Sequence, residues 1–136
     1  MYREACYDDV GAEVTRELAS AVDVATSAGV ARTQIILDPG LGFAKRADQT
    51  WRALADLRAL EALDRPVLVG PSRKSFLTSA LGDRPPSDRE WGTAAAVTAA
   101  VLLGAHIVRV HAVAPHFDVV RVADAIRAQA SAEVPA

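Results

Sequence analysis

The chain has 136 residues, 51% of them hydrophobic and 24% charged, and its formal net charge is −2. This length allows one domain, 1–136, which buries about two-thirds of the surface that the unfolded chain exposes. The composition excludes a disordered chain, and the near-neutral charge disfavours a polyanion-binding surface, so nucleic acid is not expected as a partner.

The sequence predicts a cytoplasmic protein. Cys6 is the only cysteine, so an internal disulfide and a cysteine-rich metal cluster are excluded, which fits a reducing compartment. The first nine residues lack the basic and then apolar order of a signal peptide. The longest apolar run, residues 94–103, is too short to span a bilayer.

The first predicted elements are a helix and a buried strand. Apolar residues at positions 10, 14, 18, 22 and 25 form one helical stripe, with Asp8 or Asp9 as its N-cap and Gly29 at its end. The β-branched run 35–37 then predicts a strand. Asp38 stands at the C-terminal end of that strand, because Pro39 cannot donate to a sheet.

A second helix is predicted from Asp48 to Leu63, with Trp51 and a series of leucines toward the core. A strand at 67–69 follows, and the turn 70–72 leads into a helix that carries Phe76, Leu77 and Leu81.

The C-terminal third begins with a polar, proline-rich loop, 82–90, which is predicted to be mobile. Thr93 is predicted to cap an alanine-rich helix that runs to residue 103. A strand at 107–111 precedes a last helix that carries Val119, Val122 and Ile126, and residues 131–136 are predicted to fray. The order of elements predicts an α/β fold in which three parallel strands are flanked by helices.

Each of the three predicted strands ends in polar residues. Asp38 follows the first strand, the segment 72–75 (Ser-Arg-Lys-Ser) follows the second, and Arg109 and His111 end the third. The carboxyl ends of parallel strands meet at one edge, so these side chains are expected to form one binding site. A merely solvated rim is the alternative.

Arg109 and His111 stand two residues apart in the predicted strand, so both side chains point to one face and can grip one anion. An internal salt bridge is the alternative for Arg109, because an unpaired inward charge is costly.

The turn before the third helix carries two basic side chains, Arg73 and Lys74, that can meet an anionic oxygen or a polar ring. Lys74 stands out because only two of the 15 basic residues are lysines, which suggests that a flexible point charge is required there. Asp38 can accept paired N–H bonds from a guanidine-like ring edge. Its alternative role is an Asx-type turn or a helix cap.

The three histidines, His106, His111 and His116, do not form a metal site, because a spacing of five places them neither on one helical face nor on one strand face. No metal ligand is therefore predicted in this chain. Phe43, inside a glycine-rich loop, is either a loop anchor or a pocket wall.

The same residues resemble the dihydropteroate synthase family. Four segments carry the resemblance, in order and with family-like spacing: Ile-Ile-Leu-Asp-Pro-Gly-Leu-Gly-Phe at 35–43, Val-Leu-Val-Gly-Pro-Ser-Arg-Lys-Ser-Phe at 67–76, Gly-Thr-Ala-Ala at 92–95 and Gly-Ala-His-Ile-Val-Arg-Val-His at 104–111. The resemblance extends from about residue 7 to residue 127. It implies a partial TIM (β/α)₈ barrel whose three strands correspond to strands six to eight of that fold.

The resemblance also implies a reaction and roles for residues. The family joins a dihydropterin diphosphate to p-aminobenzoate in folate biosynthesis, so the chain is expected to belong to a transferase. Asp38 and Lys74 would bind the pterin ring with Phe43 nearby, Ser75 would lie near p-aminobenzoate, and Arg109 and His111 would hold the departing diphosphate. Lys74, Arg109 and His111 are thus the expected catalytic residues.

Two departures from the family matter. Ala112 stands where the family usually has Asp after the histidine. The N-terminal half of the family's barrel, which includes the Asn that helps to bind Mg²⁺, has no counterpart here, so the chain alone is expected to be inactive and to associate with itself or with another chain. The alternatives are a non-catalytic assembly module that pairs with a full-length synthase, and the pterin-binding domain of a folate-dependent methyltransferase, which fits these motifs less well.

Overall fold

The computed structural model describes residues 7–132, so Cys6 and the last four residues of the expected frayed tail lie outside it. The first helix, α1, spans Val10–Ser27, and Asp9 caps it by accepting a hydrogen bond from the backbone N–H of Ala12 at 3.0 Å. The predicted helix and its cap are confirmed. Gly29 follows the helix with φ +95°, a backbone conformation that favours glycine.

The predicted helix over 48–63 is two elements. The second helix, α2, spans Ala47–Ala55, and a 3₁₀ helix covers Leu57–Leu63. The change of geometry falls at Asp56, whose side chain packs tightly against α1: a Cβ placed on Gly11 would lie 2.6 Å from Asp56 Oδ2. The predicted core leucines at 54, 57 and 60 are buried, whereas Trp51 is only partly buried.

The sheet has two strands among the described residues, not the predicted three. Strand β1, Leu68–Val69, pairs in parallel with β2, Ile107–Val108. Leu37 contributes only an isolated parallel bridge to Val67. The prediction of a third strand at 35–37 was wrong because Ile36 is exposed without a pairing partner among the described residues and Pro39 ends the ladder at once.

The strand predicted at 107–111 is also shorter than expected, since β2 ends at Val108. The N–H of Arg109 still donates to the carbonyl of Val69 at 3.0 Å, but the next pairing is to a side chain: the N–H of His111 donates to Ser72 Oγ at 3.2 Å. Arg109 and His111 therefore lie just beyond the strand.

The segment after β1 forms a 3₁₀ turn, Ser75–Leu77, and a short helix α3, Thr78–Leu81. Phe76 and Leu77, which were expected on a helix, lie on the 3₁₀ turn and are buried. A 3₁₀ turn, Pro86–Arg89, occupies the segment predicted as a mobile loop and leads directly into helix α4, Glu90–Leu102.

Thr93 is not the cap of α4. It lies inside the helix and is completely buried. Its hydroxyl donates to the carbonyl of Arg89 at 3.1 Å and accepts from the N–H of Arg73 at 3.0 Å.

The last helix, α5, spans Val113–Ala132, so residues 131 and 132 are helical rather than frayed. On α5, Val122 is 62% exposed and Ile126 is 51% exposed, whereas Ala123 and His116 are buried. Helices α4 and α5 make the most extensive contact between two elements. The small buried side chain of Ala123 suits a close approach of these helices, whereas a bulky Val or Ile at that point would hold them apart.

The core lies between the sheet and the helices. It is built mainly from Leu, Val and Ala of α1, α2, β1 and α4, and it includes Val14, Leu54, Val69, Leu77 and Val97. The described chain is thus an α/β fold with a small parallel sheet. No helix among residues 7–132 has both the length and the apolar character needed to cross a bilayer.

Candidate binding site at the carboxyl ends of the strands

The turns that follow Leu37, β1 and β2 lie side by side. The register that places Leu37 beside Val67, and Val69 beside Val108, brings the residues after each pair to the same edge. Contacts join the three turns at this edge: Lys74 Nζ donates to the carbonyl of Leu41 in the loop that follows Asp38, and a Cβ on Gly70 would lie 3.7 Å from Arg109 Cβ.

Two lysines bind the backbone of one loop at this edge. We call residues 38–43 the glycine loop. Lys74 Nζ donates to the carbonyl of Leu41, and Lys45 Nζ lies 3.4 Å from the carbonyl oxygens of both Gly40 and Phe43. The chain contains only these two lysines, so both stand at the same loop.

The glycine loop also packs closely against the Lys74 side chain. A Cβ on Gly42, where φ is +74°, would lie 3.3 Å from Lys74 Cδ. Lys74 Nζ lies 4.3 Å from the centre of the Phe43 ring, which is a cation–π contact. Phe43 is 64% exposed, so its ring is a wall that a flat ligand can reach.

Asp38 is exposed and has one oxygen in use. Its Oδ1 accepts a hydrogen bond from the N–H of Gly40 at 2.8 Å, the Asx-type turn that the sequence left open as an alternative. Within residues 7–130 its other carboxylate oxygen has no hydrogen bond. The turn therefore orients the carboxylate and leaves an acceptor for a ligand.

The electrostatics of the two lysines follow from their partial burial. Burial lowers the pKa of Lys74, Asp38 opposes this effect, and Arg109 and Lys45 lower the pKa further. Burial also lowers the pKa of Lys45, against the opposing carboxylates of Glu17 and Asp38. A further cation near Lys74 would be repelled, whereas an anion would be attracted.

His111 is held by a residue of the second turn. Ser72 Oγ lies 2.8 Å from His111 Nδ1, and it also accepts the N–H of His111. Ser72 is buried, so it links the turn after β1 rigidly to the turn after β2. This contact leaves the other ring nitrogen, Nε2, available for a ligand.

Arg109 is exposed, and among the described residues its guanidinium forms no ion pair. The internal salt bridge that the sequence offered as an alternative is therefore not present in this part of the chain. Ser75 is exposed beside Lys74, and its carbonyl accepts the hydroxyl of Thr78 at 2.7 Å.

Arg73 points away from this edge, contrary to the prediction that both basic side chains of the turn face a ligand. Its Nε donates to Glu90 Oε2 at 2.7 Å, and its φ is +59°. Sequence reasoning missed Ser72 and Glu90 as supports of the site. The scarcity of lysine, which singled out Lys74, applies equally to Lys45. It could have identified Lys45 as a second residue of this edge.

An apolar cavity of about 500 Å³ borders the site on the open side of β2. Arg109 lies at its rim, and the walls come from β1, from β2 and the residues after it, and from α5: Leu68, Ile107, Val108, Val110, Val113, His116, Phe117 and Val120. Residues 7–132 contain no group of three His, Cys, Asp or Glu side chains placed to hold a metal ion.

Comparison with known proteins connects this geometry to a family. The profile described as "Pterin binding enzyme" matches residues 1–111. The dihydropteroate synthase of Synechocystis is 46% identical over 88% of this chain, and that of Mycobacterium leprae is 43% identical over 91%. The chain covers only 42% and 45% of those two proteins.

Solved structures show the same similarity. The dihydropteroate synthase of Xanthomonas albilineans, solved with 4-aminobenzoic acid, superposes with a TM-score of 0.85 at 38% identity, over 97% of this chain and 46% of that one. The Burkholderia cenocepacia enzyme, complexed with 7,8-dihydropteroate, gives a TM-score of 0.88 at 39% identity, over 96% and 49%. The chain thus spans about half the length of these proteins.

Proposed function

Since this chain belongs to the pterin-binding enzyme family, we propose that it is the C-terminal part of a dihydropteroate synthase and supplies strands six to eight of a β/α barrel. The observation that carries the proposal is that Lys74 Nζ donates to the Leu41 carbonyl in the loop after Asp38, while Gly70 lies against Arg109 and Ser72 contacts His111 at the same edge. A carboxylate beside two cations suits a hydrogen-bonding ring that is joined to an anion.

The pterin ring would lie between Asp38, Lys74 and Phe43. The free oxygen of Asp38 accepts N–H bonds from the guanidine-like edge of the ring, and the exposed Phe43 ring offers a flat surface. Lys74 has three donors, of which one binds the Leu41 carbonyl, so others remain for a ring carbonyl or nitrogen. Ser75, exposed on the same turn, would lie near p-aminobenzoate.

Arg109 and His111 would stabilise the leaving group. In the proposed reaction the amine nitrogen of p-aminobenzoate forms a bond to the pterin methylene carbon. The C–O bond to diphosphate breaks, diphosphate leaves with the electron pair, and the amine loses a proton. An unpaired guanidinium and a fixed imidazole are donors for the charge that develops on diphosphate. Ser72 holds the imidazole in place.

Mg²⁺ is the cofactor that the family resemblance implies. The site edge does not suit it within residues 7–132, because no cluster of three metal-binding side chains is present there and the edge carries Lys74 and Arg109. We therefore name no Mg²⁺ ligand in this segment. The proposed roles of these residues involve no step at the metal.

The proposal is tested in a hybrid in which this chain replaces the matching C-terminal part of the Synechocystis synthase. The hybrid should form dihydropteroate from the dihydropterin diphosphate and p-aminobenzoate. Lys74→Ala or Arg109→Ala should lower kcat/KM by about tenfold or more, because each removes a charge-assisted hydrogen bond. Arg16→Ala is the matched control, since Arg16 is exposed and bonds only to a carbonyl of its own helix. Unchanged kcat/KM in both site variants would refute these roles.

A second candidate function is a binding or assembly module that pairs with a full-length synthase or with a second copy of itself. The apolar cavity on the open side of β2 favours it, together with Val113 and Phe117, which are 68% and 61% exposed. Light scattering after size exclusion tests it. A strictly monomeric chain that unfolds cooperatively would contradict this association.

A further inference from the structure

Three polar groups of Arg73 bind one turn of the chain. Its N–H donates to Thr93 Oγ1 at 3.0 Å, and its carbonyl accepts from Arg89 Nη1 at 2.9 Å. Its guanidinium Nε donates to Glu90 Oε2 at 2.7 Å. All three partners come from the segment that ends the 3₁₀ turn at 86–89 and begins α4.

This binding keeps Arg73 in a backbone conformation that a non-glycine residue rarely adopts. Its φ of +59° is strained, so the turn keeps it only when its surroundings compensate. Arg73 stands between Ser72, which holds His111, and Lys74, which binds the glycine loop. The direction in which the chain leaves Arg73 therefore sets where Lys74 lies.

A buried histidine supports Glu90 from behind. His116 is 2% exposed, and its Nδ1 lies 2.8 Å from the carbonyl of Ala112 and 3.5 Å from Glu90 Oε1. Glu90 Oε1 and His116 Nε2 are buried and have no hydrogen-bond partner among residues 7–130. Unpartnered groups are costly to bury, and Glu90 meets Arg73 through its other oxygen, Oε2.

We propose that Glu90 is a positioning residue for Lys74, acting through Arg73 and backed by His116. The inference rests on the proposed function in one respect only, namely that Lys74 binds the pterin ring. Arg73, turned toward Glu90, is not itself a ligand. Loss of the Glu90 carboxylate charge releases the turn at 72–75, so that Lys74 leaves its place above the Phe43 ring.

The two lysines make the test direct. With ¹³C-labelled lysine the chain gives two Cε resonances, which Lys45→Arg assigns. Glu90→Gln should move the Lys74 resonance and raise its titration midpoint, because Lys74 becomes more exposed to water. The other charges near Lys74, those of Asp38, Arg109 and Lys45, are unchanged in this variant, and the Lys45 resonance should stay in place.

Controls separate positioning from general destabilisation. Arg73→Gln removes the same ion pair from its other side and should shift Lys74 in the same way, and the double variant should add no further shift. Glu61→Gln changes an exposed glutamate of the 3₁₀ helix at 57–63 and should leave both lysines unchanged. An unmoved Lys74 resonance in folded Glu90→Gln, even with reduced stability, would overturn the proposal.

The hybrid enzyme adds a second readout. Glu90→Gln should raise KM for the dihydropterin diphosphate about three- to tenfold while kcat falls less, because a displaced Lys74 weakens binding of the ring. If Lys74→Ala is harmless in the hybrid but Glu90→Gln still moves the Lys74 resonance, the proposed function fails and the positioning of Lys74 stands.

Discussion

Replacing Thr93 by valine tests how strongly α4 holds the turn that carries Lys74. Valine has nearly the shape of threonine but lacks the hydroxyl, which in this completely buried side chain accepts the N–H of Arg73 and donates to the carbonyl of Arg89. The variant leaves the Arg73 N–H without its partner. An unsatisfied buried donor costs about 1–3 kcal/mol, and the Arg73 N–H is part-buried.

Thr98→Val is the matched control for this prediction. Thr98 lies in the same helix, and its hydroxyl donates to the carbonyl of Ala94 at 3.0 Å, as that of Thr93 does to Arg89. Thr98 has no contact equivalent to the one with Arg73, so its replacement should cost less than about 0.5 kcal/mol. The difference between the two variants isolates the hydrogen bond to Arg73.

The assay is urea unfolding followed by circular dichroism at pH 7, with the slope m compared among the variants. We expect Thr93→Val to lower the free energy of unfolding by about 2 kcal/mol, within the range given for an unsatisfied buried group. Equal losses in the two variants would refute the reasoning, because the hydroxyl would then contribute nothing beyond its bond within the helix.

Three further predictions concern the same edge. Gly42→Ala should be more destabilising than Gly29→Ala, because both residues have positive φ but only a Cβ at position 42 contacts Lys74. A comparison of urea midpoints checks this, and equal midpoints would contradict it. Ser72→Ala should lower the free energy of unfolding by about 1–2 kcal/mol and should shift the NMR resonances of the His111 ring nitrogens. Unshifted nitrogen resonances would contradict the contact between Ser72 and His111. Because burial lowers the pKa of Lys74, the unfolded chain holds that proton to higher pH. The free energy of unfolding should therefore rise as the pH increases from below the pKa of Lys74 in the folded state toward 10.5. Urea midpoints measured across that range should show a smaller rise in Lys74→Met. Identical pH profiles of the two proteins would contradict this prediction.

The sequence predicted the gathering of Asp38, Lys74 and Arg109 at one edge because parallel strands align their carboxyl ends whatever the details of packing. It also predicted α1 and its cap, since an Asp followed by a regular apolar stripe is a local signal. These features depend on spacing along the chain, which a single sequence displays directly. The roles assigned to the site residues remain predictions.

The errors come from contacts between distant segments. The buried face of α5 has no clear signal in the sequence, since Val122 and Ile126 are exposed and the small Ala123 is buried. Thr93 looked like a helix cap because it precedes an alanine-rich run, yet the helix begins at Glu90 and the hydroxyl serves a turn twenty residues earlier. No local sequence pattern predicts the ion pair between Glu90 and Arg73.

The placement of both lysines beside one loop makes the edge accessible to a simple measurement of local opening. A protease that cleaves only after lysine has two targets in the 136-residue chain, after residues 45 and 74, and would yield fragments 1–45, 46–74 and 75–136. Each bond flanks the glycine loop or the turn that Arg73 anchors. The rate of digestion of the native protein therefore reports how often this edge alone comes apart, and a molecule that occupies the edge should slow both cuts together.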